Sequence, residues 1–463
     1  MFKPMLFCLL FCLAPSANAA SLPASVLTAL KQAHIPLSDI GVEVCQTSAR
    51  KSLISLNGSK PMNPASTMKI LTTYAGLELL GPAYTWKTEA WLNGKLEDGI
   101  LHGDLILKGY GDPKLTIEQL WLWLSELRAR GLREIHGNVI LDRSAFQLAP
   151  LDPATFDHDP VRAYNVGPDA LLLNFNAFLL HFIPHGDEIN LLVEPTLTGI
   201  TVENRLIASR QGDCTNWDDG ISMQSIGTTL VIQGTFPIAC GEHAKYFSPL
   251  PHTKYLDTVF RGLWQELGGA LSGNVSDGLK STSATLFSTH HSAPLSELIR
   301  DINKFSNNVM ARELFLGLGM NATETASIQN SEQAIHAWLA QKQLNFPELI
   351  LENGAGLSRL ERVSPHNMAL LLQTVWNSPL QPEFESSLPI MGVDGTLRKR
   401  LPGSAVTAHA HLKTGTLDGV KTVAGYVQSR TGKQWILVFF INHPNASAGQ
   451  LAQDALIEWV QRH

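Results

Sequence analysis

Alternating and helical spacings of hydrophobic residues succeed one another along this chain. In "GVEVCQTSARKSLISLNG" apolar and polar positions alternate on either side of a polar middle, the pattern of a hairpin. From Met68 the apolar residues fall at helical spacing (Met68, Leu71, Ala75, Leu79), and Asn63, Pro64 and Ser66 ahead of them read as a helix start. "WKTEAWLNGKLEDGILHGDLILKGYGDPKLT" returns to short alternating runs broken by Asn-Gly, Asp-Gly and Gly-Asp, which predicts a small β meander ending in a Gly-Asp-Pro turn. Residues 116–130 predict a helix with Leu120, Trp123, Leu124 and Leu127 on its apolar face. Trp121 falls off that face, and both tryptophans read as packing residues.

Short strands recur between about 187 and 240 ("EINLLVEP", "GITVENRL", "TLVIQGTF"), and a helix over "TKYLDTVFRGLWQELGG" follows. From about 295 helices dominate, in "PLSELIRDINKFSNNVMARELFLGLG", "SEQAIHAWLAQKQ" and "SPHNMALLLQTVWN". The end reads as a strand pair with a Thr-Gly turn in "AHLKTGTLDGVKTVAGYVQSRTGKQWILVFFIN", then a closing helix in "AGQLAQDALIEWVQR". The pattern predicts one layered α/β (α+β) domain, built from the Ser66 helix and the helix-rich C-terminal half. The β-rich span from roughly 86 to 285 reads as an insertion that positions substrate and breaks no bonds.

At 463 residues the chain suits two or three domains. Its net charge of −6 and the absence of a basic block argue against a nucleic-acid partner. "MFKPMLFCLLFCLAPSANAA" has a lysine near its start, a short apolar run and a small-residue end, which predicts a signal peptide over residues 1–19 and export to the periplasm. Cleavage after Ala17-Asn18-Ala19 would leave Ala20 first. The run is too short to span a bilayer, and no later segment reaches the required length, so no transmembrane segment is expected; peripheral membrane association stays open.

Cys8 and Cys12 leave with the signal, and Phe11 ahead of Cys12 argues against a lipoprotein site. Cys214 and Cys240 share one polar segment, and an oxidising compartment permits a bridge between them. Cys45 reads as a buried thiol. No Cys/His set has zinc spacing, and neither metal nor other cofactor is expected.

The candidate chemistry begins at Ser66, at the positive end of a helix dipole, with Lys69 one turn on and on the same face. A serine hydroxyl is a poor nucleophile until a neighbouring base takes its proton. Lys69 can be that base if burial and nearby cations lower its pKa. Ser306 and Asn308, in "FSNNVMARELF", offer a hydroxyl and an amide to relay a proton and hold Lys69 and the substrate's amide. Lys413, in "HLKTGTLDGV", adds a second positive charge that disfavours protonated Lys69 and attracts an anionic substrate. Gly415 would let substrate lie against the strand edge, the backbone N–H groups of Ser66 and Thr416 would form an oxyanion hole, and the Thr414 and Thr416 hydroxyls would bind a C-terminal carboxylate.

In this order, S-x-x-K, S-x-N and K-T-G resemble the set of the penicillin-recognising serine enzymes. "GYGDPKLT", "ENGAGLSR" and "MGVDGTLRKRL" extend the resemblance to the class C low-molecular-mass penicillin-binding proteins, the periplasmic D-alanyl-D-alanine carboxypeptidase/endopeptidases. The resemblance implies a β-lactamase/transpeptidase-like catalytic domain, an antiparallel sheet flanked by helices, interrupted by two nested β-rich accessory domains. Catalytic parts would cover 20–85 and 286–463, accessory domain II 86–160 and 241–285, and accessory domain III 161–240. It also implies acylation of Ser66 by β-lactams and by peptidoglycan peptides. Ser66, Lys69, Ser306, Asn308 and Lys413 match the family positions without substitution.

Two other readings compete. A β-lactamase would want an E-x-x-N-type glutamate between S-x-N and K-T-G, or Y-x-N in place of Ser306 and Asn308, and neither is found. A non-catalytic cell-wall binding protein would be expected to lose Ser66, Lys69 or Lys413, and all three stand. Elsewhere, His409 and His411 alternate onto the face of Lys413 but read as solvated strand residues. Asp152, Asp157 and Asp159 read as a solvated loop that could alternatively bind a cation or a cationic substrate side chain. Arg359 reads equally as a cleft residue or a surface ion pair, and Asp418 has no assigned role.

Overall fold

The unbroken apolar run Gln434–Asn442 is the middle strand of a five-stranded antiparallel sheet. Ile436, Val438 and Phe440 face one helical layer while Leu437, Phe439 and Ile441 face the other, and burial on both sides is why alternation vanishes from the sequence there. Across the sheet the strands run Ala410–Leu417, Val420–Gln428, Gln434–Asn442, Ile40–Gln46 and Ile54–Leu56. The computed structural model describes residues 21–49, 51–320 and 325–463, so the expected signal peptide lies outside the described residues.

The N-terminal hairpin is present, with Val42 opposite Leu56. The C-terminal stretch holds three strands instead of the expected pair. Leu417 pairs with Val420 across the two-residue loop Asp418-Gly419, where Gly419 takes φ +73°, a conformation glycine adopts freely. So short a loop leaves the apolar rhythm almost uninterrupted, which hides the boundary. Helices Ala24–Gln32 and Gln450–Arg462 cover one face through Val26, Leu30, Leu456 and Val460. Helices Met68–Leu79, Leu295–Lys304, Asn308–Met320 and Pro365–Trp376 cover the other. There Tyr74 makes edge-on contacts with both Trp338 and Phe384.

The intervening chain builds a seven-stranded mixed sheet from segments within 87–142 and 270–291. Two three-stranded sheets come from residues 178–247, between those segments in the chain. One apolar core joins all three sheets with helices Ile117–Ala129 and His252–Glu266. Leu120, Trp123, Leu124 and Leu127 are buried as patterned, and Trp121 is exposed. The chain leaves the five-stranded unit and returns to it side by side. Lys87 pairs with His291, and the Ser292 N–H donates to the Trp86 carbonyl at 2.9 Å. Cys214 and Cys240 are bridged. Cys45 is a buried thiol, its pKa pushed up to about 12 by burial and then by Glu43. Among the described residues no helix is long and apolar enough to cross a membrane.

Candidate active site

Asn63 sets the approach to the Ser66 helix. Its Oδ1 accepts the Ala65 N–H at 2.9 Å, and its amide donates to the Ser358 carbonyl at 2.8 Å. Ala65 is held at φ +45°, where a residue with a side chain is strained. Ser66 then lies in a 3₁₀ turn, Ala65–Thr67, that runs directly into the α-helix Met68–Leu79.

Lys69 is fully buried, with Nζ 3.0 Å from Ser66 Oγ, 2.6 Å from Asn308 Oδ1 and 2.5 Å from the Ala355 carbonyl oxygen. A neutral amine fits these neighbours well. With the amine neutral, its two hydrogens can meet the amide and carbonyl oxygens, which leaves its lone pair for the serine hydroxyl. Burial is the main reason the Lys69 pKa is lowered well below the ordinary lysine value; the Lys413 charge lowers it further, Glu361 pulls the other way, and Arg312 lowers it again. Lys413 is also buried, which alone brings its pKa down to about 7.

The structure brings together every motif residue named from sequence, with one repartition. Asn308 contacts Lys69, but the Ser306 hydroxyl accepts from Lys413 Nζ at 2.8 Å. The reason is local: Ser306 is turned by φ +58° just ahead of the helix that starts at Asn308, so the two side chains diverge. A Cβ at Gly415 would stand 2.2 Å from Thr422 Oγ1 and 2.8 Å from the Ser66 nitrogen, so on that face the strand packs directly against the Ser66 turn. Thr414 and Thr416 point the other way. With Ser66 and Ser306 they line an open cavity of about 430 Å³.

Several residues that matter here went unread. The buried Glu361 carboxylate accepts the backbone N–H groups of Glu352, Asn353 and Gly354 at 3.1, 3.0 and 2.9 Å. That fixes the loop whose next carbonyl, Ala355, contacts Lys69. Thr396 Oγ1 lies 2.9 Å from Thr414 Oγ1. On the helix Asn308–Met320, Arg312 donates to the Val166 carbonyl at 2.7 Å, and Glu313 accepts the Asp169 N–H at 2.8 Å. Their partners are supplied by the inserted chain, from elements far apart in sequence, so no local motif announces them.

The remaining candidates lie at the periphery. Among the described residues Arg359 makes no ion pair; its guanidinium donates to the Asp418 carbonyl at 2.9 Å and stacks over the Phe156 ring. Asp152 caps a turn at the Ala154 N–H, Asp157 accepts from Tyr164 and Asn165, and Asp159 accepts from Arg162. His409 sits beside Gln428, just outside the strand, and His411 beside the Glu385 carbonyl. Among the described residues no group of three His, Cys, Asp or Glu side chains could hold a metal ion.

A serine and a lysine in contact inside a cleft between a helix start and a sheet edge suit acyl transfer. The sequence model of the D-Ala-D-Ala carboxypeptidase 3 (S13) family matches residues 22–463. The chain belongs to this family. It is 27% identical over 410 residues to the D-alanyl-D-alanine carboxypeptidase DacB of Haemophilus influenzae, covering 88% of this chain and 85% of that protein. It is 26% identical over 444 residues to a D-alanyl-D-alanine carboxypeptidase of Actinomadura sp., covering 90% and 80%. The crystal structure of penicillin binding protein 4 (dacB) from H. influenzae superposes with a TM-score of 0.80 at 25% identity, over 95% of this chain and 99% of that one. Membership in this carboxypeptidase family makes the protein a hydrolase of the penicillin-binding, peptidoglycan-directed class.

Proposed function

We propose that this protein is an exported, periplasmic serine D-alanyl-D-alanine carboxypeptidase/endopeptidase, acting on peptidoglycan peptides through an acyl-enzyme on Ser66 and inhibited by β-lactams. The observation that carries the reading is the fully buried Lys69 amine 3.0 Å from Ser66 Oγ. A lysine kept neutral by burial is a base that needs no metal or histidine.

Ser66 Oγ attacks the carbonyl of the penultimate D-alanine as Lys69 Nζ takes its proton. The oxyanion is met by the N–H groups of Ser66 and Thr416. Gly415 supports that pairing, because only a residue without a side chain allows the strand so near the Ser66 nitrogen. The leaving amine needs a proton, and Ser306, bonded to Lys413 and facing the same cavity as Ser66, can deliver one. The terminal carboxylate lies against Thr414 and Thr416, with Lys413 behind them. The Lys69 proton passes to the Ser306–Lys413 pair, which has given one to the amine; water then attacks the ester as the neutral Lys69 takes its proton, and Lys69 returns that proton to Ser66 Oγ as the ester breaks. With a β-lactam the leaving amine remains tethered to the acyl group.

The test is labelled benzylpenicillin, followed by peptide mass spectrometry and product analysis on peptides ending in D-alanyl-D-alanine and on crosslinked muropeptides. Penicilloyl mass on the Ser66 peptide, release of D-alanine and cleavage of crosslinks are expected, all lost in Ser66→Ala. Label retained by Ser66→Ala would overturn the nucleophile. A labelled protein that cleaves neither substrate would overturn the peptidase reading.

A further inference from the structure

The cavity that holds Ser66 does not end at the two threonines. Thr396, Lys399, Arg400, Lys421 and Gln450 also line it, and among the described residues no acidic side chain does. Of these three cations, only Arg400 is in a direct ion pair among the described residues. Arg400 is buried, with Nε donating to Asp454 at 2.6 Å and Nη2 donating to Gln453 at 3.2 Å. Lys399 and Lys421 form no ion pair among the described residues, although shorter-range pairs are common elsewhere on this protein.

Lys421 is the more telling of the two. It lies directly opposite Thr416 in the sheet register, so the two side chains leave the same face as cross-strand neighbours. It is half-buried, and burial and then Arg400 lower its pKa, with Asp454 pulling back in part. A lysine held against its own charge, beside a second unpaired lysine and open to a cleft, is a site arranged for an anion that arrives from outside.

Resting on the proposed peptidase reading, we propose that Lys399 and Lys421 form an anion subsite for the leaving group. It selects leaving amines that carry a second carboxylate besides the terminal one. In the cleft, the threonines that take the terminal carboxylate stand on the same wall as Lys421, which puts the lobe on the leaving-group side of Ser66. A single D-alanine has no group to reach the lobe. The stem peptide released when a crosslink is cut carries further carboxylates, and so the lobe tilts the enzyme toward crosslink cleavage.

The test compares two synthetic substrates with a common acyl part, ending in D-alanyl-D-glutamate or in D-alanyl-D-glutamine, which share shape and differ by one charge. The full-length mature protein should show kcat/KM about tenfold higher for the glutamate peptide. That preference should fade between about 0.01 M and about 1 M salt. In Lys399→Met/Lys421→Met the ratio should fall to about one, with each single variant between. A wild-type ratio near one, or a ratio unmoved by the double substitution, overturns the subsite. The wild-type comparison needs no variant, so misfolding cannot obscure it. Penicillin labelling run in parallel separates the two hypotheses: an unlabelled wild-type protein sinks the peptidase reading, and a labelled one indifferent to the added charge sinks only the subsite.

Discussion

Gly415 lies so close to Ser66 that a single carbon added to it would stand 2.8 Å from the Ser66 nitrogen. The Ser66 turn and the K-T-G strand are pressed together at a point where only a hydrogen fits. Gly415→Ala must therefore move the strand or the turn. Reactive geometry is sensitive to such shifts, so acylation by penicillin should fall by about 100-fold while circular dichroism stays native. An unchanged acylation rate would mean that the contact can widen at no catalytic cost.

Glu361 should act on the chemistry through Lys69. Its charge raises the Lys69 pKa, against the larger lowering by burial. Acylation that depends on neutral Lys69 rises with pH through that pKa. Removing the charge in Glu361→Gln lowers the pKa further, and the acid limb of the acylation profile should move to lower pH. Glu361→Ala also strands the amides of Glu352, Asn353 and Gly354, and should cost about 2–4 kcal/mol in denaturant unfolding. A residue with a purely structural role would lower stability and leave the acid limb in place.

Lys413 should destabilise the fold that uses it. Burial brings its folded-state pKa from 10.5 to about 7. Between those values the unfolded chain holds a proton that the folded one has lost, so this residue's contribution to stability improves as pH rises. Below about 7 both states are protonated and its burial penalty is at full size. Lys413→Met should thus raise the melting temperature at neutral pH while abolishing peptidase activity. The gap between variant and wild type should narrow toward pH 10. A gap that is constant with pH would place the lysine's pKa elsewhere.

Excising residues 86–285 and joining the ends should abolish penicillin labelling. The sequence reading makes that span a platform with no part in bond breaking. Yet the Val166 carbonyl accepts from Arg312 and the Asp169 N–H donates to Glu313, both buried on the helix that begins with Asn308. Glu313 is fully buried, and burial raises its pKa well above the ordinary carboxyl value, so it cannot simply be left bare. Labelling by a folded excised chain at the wild-type rate would restore the platform reading.

Much of the candidate cleft was legible because its parts are short and local. Ser66 and Lys69 sit one helical turn apart, Ser306 and Asn308 flank a helix start, and Lys413 to Thr416 occupy one strand, so spacing alone announces each group. The alternation of the first hairpin and the apolar face of Ile117–Ala129 were equally plain. What spacing could not convey is which group meets which. The divergence of Ser306 toward Lys413 depends on one backbone angle. The filling of the space beside Gly415 depends on two elements about 350 residues apart in the chain being pressed together. Glu361, Arg312 and Lys421 acquire meaning only from distant neighbours, and a charged residue with no local pattern looks like any solvated one. The residue types and their order thus determine a serine one turn from a lysine and a family likeness. Burial, which sets the lysine pKa values and leaves one lobe of the cavity lined by cations, belongs to the folded chain alone, because desolvation is a property of everything packed around a group and of nothing in its own segment.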